Sequence, residues 1–435
     1  MSTLKRLQRL TGDDAPGKKE STRADEISEL RRRIEAITSR RPAPTVSPST
    51  VLCDSAFTLK DLIQGDEFEN THGNFFVADR SLTGSSYHGC RCIGEISTLD
   101  MNAVALLANN PDLASFNYTD ALFLDTETTG LSGGTGTLAF LIGLGWFENE
   151  TFVTRQIFAR DFSEERASLS FLLELAGKKN FIVTFNGKAF DVGLLSTRFI
   201  LNRLPDKLSS MPHLDLLHPS RRLLGHRLDN NRLITIENEI LGFRRSGDIP
   251  GSEIPQRYFD WLRNRDARFM LDVFEHNRLD VISMATLSVH LAEMLKFDRD
   301  ITSAEHLDIL AVSRLLLDRR DKAGARILLE SLINSENPSI AFEARRILSL
   351  IHKRSGSWHD AVCIWEMMLL DDPGNYFAAA ELAKWYEHRK HDYKKAIDIV
   401  SKTLILSGLK TSEERNSLVH RLNRLKSRAG YTETE

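Results

Sequence analysis

The residues with the clearest chemical potential are Asp125 and Glu127, in the segment ALFLDTETTG. The apolar run before them is typical of a buried strand, so both carboxylates stand at a strand end. Residues i and i+2 of a strand face the same side, and two carboxylates side by side at the edge of a buried sheet repel unless a cation joins them. A divalent metal ion fits, because hard cations prefer oxygen ligands. A turn capped by Asp-Thr-Glu-Thr is the simpler alternative, and the pair alone favours that simpler interpretation.

Two further segments add acidic and basic groups. Asp191 ends the segment NGKAFD, which follows the apolar run FIVTF and opens a predicted helix. Taken alone, it serves equally well as an acid favoured by the helix dipole. His276 and Asp280, in HNRLD, are four residues apart on a predicted helix and therefore share a face. Taken alone, they are typical of a solvated helix face or of a core histidine with a capping partner.

The segments around these residues predict a mixed sheet covered by helices. From Ala121 onward three apolar runs predict consecutive strands, and residues 148–150 are typical of the hairpin turn between the last two. A helical pattern, the strand FIVTF, a second helical pattern and the short strand HLDLL follow, and helices continue to about Phe297. Strands in series, then strands alternating with helices, predict an α/β domain over residues 119–298.

Residues 303–430 predict a second, all-helical architecture. Ala325, Ala361 and Ala396 are 36 and 35 residues apart, and two acidic or amide residues that precede a proline are also 35 apart. A period near 34, small residues at the helix crossings and a proline between units resemble tetratricopeptide repeats. We expect about three repeats and a polar capping helix, which would dock a protein partner; a plain helical bundle is the alternative.

Composition restricts the class of protein. The chain has 435 residues, 41% of them hydrophobic and 27% charged, with a net charge of −3. This charge excludes a globally basic, histone-like binder but allows a local basic groove. Four cysteines without a Cys-x-x-Cys pair argue against a zinc site and favour a reducing compartment. The longest apolar run is too short to cross a bilayer and no secretory signal is evident, so we expect a soluble, cytoplasmic protein with no membrane partner.

The two segments before the sheet are less informative. Residues 1–50 are polar and nearly free of aromatic side chains, so we expect a flexible tail with one short helix near 25–39. Residues 51–118 form an accessory segment to which the sequence assigns no chemistry. Within it, HGNFFVADR predicts a strand and residues 99–109 predict a helix.

The three acidic segments together resemble the DEDD, or DnaQ-like, exonuclease superfamily, whose catalytic domain has an RNase H-type fold. DTETTG is similar to the first motif, NGKAFD to the second with its Asn-x-x-x-Phe-Asp pattern, and HNRLD to the third. The resemblance covers residues 119–295, and GLSGGTGTLAFLIGLG, HLDLLHPSRR and the attached repeats look most like the YprB-type branch. The expected fold is an α/β RNase H-like mixed sheet flanked by helices, plus a C-terminal all-α, tetratricopeptide-like domain.

The resemblance implies a metal-dependent 3′–5′ exonuclease that acts on single-stranded ends of DNA or RNA. Asp125, Glu127, Asp191 and Asp280 would bind two Mg²⁺ or Mn²⁺ ions, whose charge the four carboxylates balance. Two such ions stabilise the attacking and the leaving oxygen of an in-line displacement at phosphorus. His276 would take the proton from the attacking water. Polar residues of the first two motifs are the candidate substrate contacts: Thr126, Thr128, Asn186 and Lys188.

The third motif departs from the family pattern. The His-bearing branch usually has four residues between its His and Asp, and the Tyr-bearing branch has three; three separate His276 from Asp280. One residue on a helix is about 100° of rotation, so activation of water by the metal ions alone, with His276 only nearby, is the alternative. Two other functions stay open: a nucleic-acid-binding or scaffold protein with an inactive nuclease fold, and an RNase H-fold endonuclease.

Other polar residues near the motifs have several interpretations. Asp215, in HLDLLHPSRR, is an acid near the metal site, a substrate contact or, as we favour, a strand-end residue that turns the chain. Lys188 is the best single candidate for a phosphate contact. Several arginines form a candidate phosphate track as a group: Arg221, Arg222, Arg227, Arg232, Arg244 and Arg245.

Overall fold

The computed structural model describes residues 56–130, 136–296, 305–406 and 412–430. The tail expected at 1–50, the helix expected near 25–39 and most of the glycine-rich loop after the first motif lie outside these residues. Among the helices within them, none combines the length and the apolar character needed to cross a membrane.

Nine strands occur in the described ranges, seven of them in one sheet and two in a short hairpin. The strands are β1 (Asp66–Asn70), β2 (Gly73–Thr83), β3 (Tyr87–His88), β4 (Arg91–Cys92), β5 (Ala121–Thr128), β6 (Ala139–Glu148), β7 (Thr151–Phe158), β8 (Phe181–Thr184) and β9 (His213–Asp215). The order in the sheet is β1-β2-β7-β6-β5-β8-β9. β5 is parallel to β8 and β8 to β9, whereas the other neighbours are antiparallel.

The central position of β5 explains its apolar sequence. β6 and β8 pair with its two edges, so a near-continuous apolar run is favoured and the polar residues are left to its carboxyl end. The antiparallel β6–β7 hairpin turns at Asn149 and Glu150, as predicted, and both residues have the positive φ that tight hairpin turns demand. The polar end of β5 therefore opens at one edge of a buried sheet.

The accessory segment before residue 119 is part of this sheet. β2 pairs with β7 along eight residues, from Phe76 to Thr83, and β1 pairs with β2 at the outer edge. The predicted strand HGNFFVADR and the helix predicted over 99–109 are both confirmed. The sequence did not show that the strand joins the same sheet, because pairing partners 68 to 82 residues apart leave no local signal.

The helices cover both faces of the sheet and then continue as an all-helical region. They are α1 (Leu59–Leu62), α2 (Met101–Ala108), α3 (Glu165–Ala176), α4 (Asp191–Leu201), α5 (Leu217–Leu224), α6 (Leu233–Ile236), α7 (Ile254–Asn264), α8 (Leu271–Met294), α9 (His306–Asp318), α10 (Lys322–Leu332), α11 (Pro338–Ser355), α12 (Trp358–Asp371), α13 (Tyr376–Trp385), α14 (Tyr393–Leu406) and α15 (Ser412–Arg428). A π-helical turn, Glu237–Leu241, directly follows α6. This mixed sheet with flanking helices and a helical C-terminal region confirms the predicted fold class.

Each face of the sheet has its own core. α3 and α4 bury leucines and Phe199 against one face of β5, β6 and β8. The long helix α8 crosses the other face, with α7 packed at its amino-terminal end. Because α8 lies on β5, β6 and β7, its side chains reach the polar end of β5.

In the helical region each helix from α9 to α15 packs against the next one. The three alanines whose spacing indicated a repeat, Ala325, Ala361 and Ala396, are all fully buried. Small residues at these crossings let successive helices approach closely. The polar capping helix predicted at the end is α15.

Candidate active site

Asp125 and Glu127 stand at the carboxyl end of β5. Residues 121–124 are buried, and the last four residues of the strand are half-buried. Phe123 lies in the core beneath α8, so strand alternation places Asp125 and Glu127 on that same face. The register between β5 and β6 shifts after Glu127, and such an irregularity redirects a strand end.

Asp191 reaches this edge from the next strand. It is the first residue of α4, which follows β8, and it is 8% exposed. β8 is parallel to β5, so the carboxyl ends of both strands meet at one edge. The hydroxyl of Thr126 donates a hydrogen bond of 2.5 Å to Oδ1 of Asp191. The first two motifs are therefore in direct contact.

Asp215 holds the second motif in place. It is 3% exposed, and its carboxylate accepts hydrogen bonds from the backbone N–H of Asn186 (2.8 Å), Lys188 (3.0 Å) and Leu217 (3.1 Å). Asn186 has φ +68°, a conformation that asparagine tolerates better than most residues. Asp215 ends β9, as the favoured interpretation predicts, and its charge also raises the pKa of Asp191, as an acid near the metal site would.

Helix α8 supplies His276 and Asp280. Nε2 of His276 is 3.7 Å from Oδ2 of Asp280, as expected for residues four apart on one helical face. One ligand atom from each of Glu127, His276 and Asp280 lies within 4.8 Å of the others. All three sequence motifs thus meet at one edge of the sheet.

The residue after His276 fixes the first aspartate. Nδ2 of Asn277 donates to Oδ2 of Asp125 at 2.8 Å, and Oδ1 of Asn277 accepts from Nε2 of Gln156 at 2.9 Å. Asn277 is fully buried over Gly143, where a Cβ atom would stand 2.3 Å from its Oδ1. Glycine at this strand position therefore makes room for the amide that orients Asp125.

Two charged residues outside the motifs complete the site. The Arg245 guanidinium donates to Oδ1 of Asp280 and, at 2.6 Å, to Oε1 of Glu237. Nδ1 of His276 is 2.7 Å from Oδ1 of Asp248. Nη1 of Arg245 is 3.4 Å from the same nitrogen, so two loop residues hold Nδ1 while Nε2 faces the acidic cluster.

The electrostatics of the site fit a cation. Burial, and then repulsion by Asp280 and other acids of the site, raises the pKa of Asp125 and of Glu127 well above the usual carboxyl range. Burial raises the pKa of Asp191 to about 6, although the hydrogen bond from Thr126 lowers it. Negative charges on these neighbouring acids repel one another, and a cation between them relieves this repulsion. Their carboxylate oxygens are the ligand atoms that hard divalent metal ions prefer, so the acids form a candidate metal site.

Comparison with known proteins identifies the family of the chain. Residues 122–292 match the family RNase_H_2, described as RNase_H superfamily. The protein YprB of Bacillus subtilis (strain 168) is 31% identical over 381 residues, which cover 85% of this chain and 89% of YprB. The chain belongs to the YprB family. Its sheet carries an RNase H superfamily domain, the nuclease type of domain that generally uses divalent metals and binds nucleic acid.

Solved structures also match this chain. The family B DNA polymerase from the hyperthermophilic archaeon Pyrobaculum calidifontis is 13% identical and aligns with 72% of this chain, with a TM-score of 0.35. The aligned part of this YprB-family chain spans 46% of the polymerase.

A pocket of about 700 Å³ lies beside the carboxylates of this YprB-family chain. Its walls include Thr126, Asn186, Phe185 and Phe190, and the Phe190 side chain is 53% exposed. Of the other candidate substrate contacts, Thr128 also lines the pocket and donates from its hydroxyl to the carbonyl of Gly130 at 2.8 Å. Lys188 is exposed on the loop that leads to Asp191.

Sequence reasoning missed several residues that shape the site. Asn277 is within the third motif, but nothing in its type pointed to Asp125. Arg245 is one of the arginines of the predicted phosphate track, and the structure buries it in ion pairs instead. Two other arginines of that group, Arg222 and Arg227, also pair with acids of the protein. Glu237 and Asp248 are only eight and three positions from Arg245, but the other partners of these residues are distant in sequence, so no local pattern reveals them.

Proposed function

We propose that this protein is a metal-dependent 3′–5′ exonuclease that hydrolyses phosphodiester bonds of single-stranded DNA or RNA by a two-metal mechanism. The observation that carries the proposal is the convergence of Asp125, Glu127, Asp191 and Asp280 at one edge of an RNase H-type sheet. These acids come from three separate segments, so their meeting is a property of the fold and not of a single turn.

The four carboxylates would hold two Mg²⁺ or Mn²⁺ ions. When bound, such ions polarise the phosphoryl oxygen, lower the pKa of a bound water and stabilise the leaving oxygen. Thr126 and Asn277 keep Asp191 and Asp125 in fixed orientations before substrate arrives. This pre-organisation removes part of the reorganisation that would otherwise accompany the reaction.

His276 is suited to accept a proton from the attacking water. Its Nδ1 is held by Asp248, and its Nε2 faces Asp280 at the acidic cluster. A neutral ring that donates from Nδ1 to Asp248 would leave Nε2 as the nitrogen that accepts this proton. The three-residue spacing between His276 and Asp280 therefore does not remove the histidine from the site.

The pocket beside the carboxylates supports an unpaired nucleotide as ligand. Phe185 and the exposed ring of Phe190 offer faces on which an unstacked base can lie, which is a common means of binding single strands. Asn186 adds a polar side chain to the same walls, and Lys188 offers a cation for the phosphate backbone.

The test uses a 5′-labelled single-stranded oligonucleotide with Mn²⁺ and compares the wild type with Asp125→Asn. We expect wild-type products that shorten progressively from the 3′ end. Loss of one metal ligand removes several kcal/mol of transition-state stabilisation, so the variant should be slower by about 1000-fold or more. Internal cuts by the wild type would instead identify an endonuclease. Binding without cleavage by either protein would identify a nucleic-acid-binding scaffold.

We further propose that the helical region consists of tetratricopeptide-like repeats that dock a protein partner. The buried alanines Ala325, Ala361 and Ala396 and the stepwise packing of α9 to α15 support the repeats. A groove of about 1240 Å³ between α9, α11 and α13 offers space for a bound segment. The described cysteines, Cys90, Cys92 and Cys363, are free thiols, which supports the cytoplasm as the compartment.

A further inference from the structure

Arg245 is a buried cation beside the acidic cluster. Its side chain is 2% exposed and that of its partner Glu237 is 0% exposed. The pair is joined by two hydrogen bonds, of 2.7 and 2.6 Å, in the parallel geometry of a guanidinium and a carboxylate. A charge taken this far out of water is costly unless its partners are well placed. The position of this guanidinium is therefore set firmly by its surroundings.

The same guanidinium fixes one oxygen of Asp280. Oδ1 accepts from Arg245, whereas Oδ2 is 3.7 Å from Nε2 of His276, and one ligand atom of each of these two residues lies within 4.8 Å of one of Glu127. The two oxygens of Asp280 thus have different surroundings, one facing a protein cation and one facing the acidic cluster. A carboxylate tethered in this way presents a single oxygen to a metal ion.

A chain of hydrogen bonds runs from His88 through Ser283 to Glu237, the ion-pair partner of Arg245. The hydroxyl of Ser283, on α8, donates to Glu237 at 2.5 Å, and Nε2 of His88 is 2.7 Å from the same hydroxyl. Since the only hydroxyl hydrogen of Ser283 goes to Glu237, His88 is the donor. Burial, followed by the charges of Arg245 and Arg278, lowers the pKa of His88 to about 4, so its ring is neutral near pH 7. Its single hydrogen is therefore on Nε2.

His88 belongs to the β3–β4 hairpin of the accessory segment. Its ring is stacked on Phe243 with 3.8 Å between centroids, and the N–H of Cys90 donates to the carbonyl of Leu241 at 2.7 Å. At Gly89 a Cβ atom would stand 2.0 Å from that carbonyl oxygen, so only glycine allows this approach. The hairpin thus packs against the segment that carries both Glu237 and Arg245.

We propose that Arg245 is a positioning residue that orients Asp280, so that Oδ2 is presented to a divalent cation while Oδ1 stays bonded to the guanidinium. Glu237 and His88 hold Arg245 in turn, which gives the segment before the nuclease domain a part in building the site. This inference rests on the proposed function, because it takes Asp280 to be a metal ligand.

Mn²⁺ binding to the full chain, measured by isothermal titration calorimetry, tests the proposal without catalysis. The double substitution Arg245→Gln with Glu237→Gln removes the ion pair as a unit and leaves no unpaired charge on Glu237. We expect a dissociation constant for Mn²⁺ about 10- to 100-fold weaker, the usual effect of losing a residue that orients a metal ligand. Arg245→Lys keeps the charge but not the planar fork and should lie between the double variant and the wild type.

A second ion pair serves as the matched control, because it joins the β3–β4 hairpin, which carries His88, to α8, which carries Asp280. Arg91, on β4, pairs with Glu293, on α8, and their side chains are 17% and 15% exposed. Arg91→Gln with Glu293→Gln removes a similar ion pair at the far end of α8 and should leave Mn²⁺ affinity at the wild-type value. Wild-type affinity in the folded Arg245 double variant would overturn the proposal. If that variant does not fold, wild-type affinity in Arg245→Lys overturns it instead.

Cleavage and Mn²⁺ binding together distinguish failure of the proposed exonuclease function from failure of the Arg245 proposal. A wild type that binds Mn²⁺ through Asp125 but cleaves no nucleic acid contradicts the exonuclease, while the effect of Arg245 on Mn²⁺ binding still decides this inference. A wild type that binds no Mn²⁺ overturns both.

Discussion

Each aspartate of the acidic cluster has its own orienting neighbour. Asn277 bonds to Asp125, Thr126 to Asp191 and Arg245 to Asp280. These neighbours come from a helix, a strand and a loop, so the orientation of the acids depends on the complete fold. A site organised in this way can hold metal ligands in productive positions before any ion binds.

The repulsion among these acids predicts a site that destabilises the metal-free protein. The pKa of Asp125 is raised in the folded state, so folding disfavours its charged form. Such a group stabilises the fold below its unfolded pKa and loses that contribution as the pH rises through the folded pKa. We therefore expect Asp125→Asn to raise the free energy of unfolding of the metal-free protein at pH 7.

Urea unfolding of both proteins in the presence of a chelator checks this expectation. The stability difference should be small below the ordinary aspartate pKa and should grow as the pH rises from there through the raised pKa of Asp125. Excess Mn²⁺ should then reverse the order, because it stabilises only the protein that binds it. Asp112→Asn, at an exposed position of the short 3₁₀ helix Pro111–Ser115, serves as the control. A metal-free Asp125→Asn protein that is less stable than the wild type at pH 7 would contradict the argument.

At the scale of elements, the site depends on how closely α8 packs on β6. Gly143 faces Asn277, and a Cβ atom there would stand 2.3 Å from Oδ1 and 2.8 Å from Nδ2 of that amide. Asn277 cannot move away freely, because Gln156 holds it from the neighbouring strand. The absence of a side chain at Gly143 is therefore a requirement of the site and not only of the strand.

Gly143→Ala should displace Asn277 and release Asp125 from its hydrogen bond. We expect a loss of about 1–3 kcal/mol in unfolding free energy from overpacking, and weaker Mn²⁺ binding because Asp125 is no longer oriented. Gly193→Ala is the matched control, since a Cβ at this position of α4 meets no atom within 4 Å. That variant should be more stable by about 1 kcal/mol, as expected for alanine in a helix. Calorimetric Mn²⁺ titration and urea unfolding of both variants give the comparison.

The sequence predicted the elements that carry local periodicity. The strands β5 to β9, the helices α3, α4 and α8, and the turn at residues 148–150 follow from apolar spacing and turn residues. Alternation along β5 and the four-residue spacing on α8 also predicted which side chains share a face. Only the resemblance of three motifs to a known superfamily, however, indicated that Asp125, Asp191 and Asp280 meet.

Contacts between distant segments were beyond sequence reasoning. His88 reaches Ser283, 195 positions away, and Arg245 reaches Asp280 through the packing of a loop on α8. An arginine looks the same in a sequence whether it is solvated or buried against two acids. Side-chain burial of this kind is decided by tertiary packing, for which composition and spacing carry no signal.

At the scale of the whole molecule, the sheet and the helical region share a core. One hydrophobic cluster extends from Ile93, through α8, to Leu425 in the last helix. α9 packs against α5, and Arg227 donates to Asp308 at 2.8 Å across this junction. Nε of Arg319 also donates to the carbonyl of Leu106, on α2, at 2.7 Å. Apolar packing and polar contacts therefore both join the helical region to the sheet region.

A shared core predicts that the two regions unfold together. The chain has five tryptophans, two in the sheet region (Trp146 and Trp261) and three in the helical region, so fluorescence reports on both, as does circular dichroism of the backbone. We expect the two signals to give one coincident urea transition, the usual test of cooperative unfolding. Saturating Mn²⁺ should move both by the same amount, about 2.7 kcal/mol at a hundredfold excess over the dissociation constant. Two separate transitions, of which Mn²⁺ moves only one, would mean that the junction between α5 and α9 does not couple the regions.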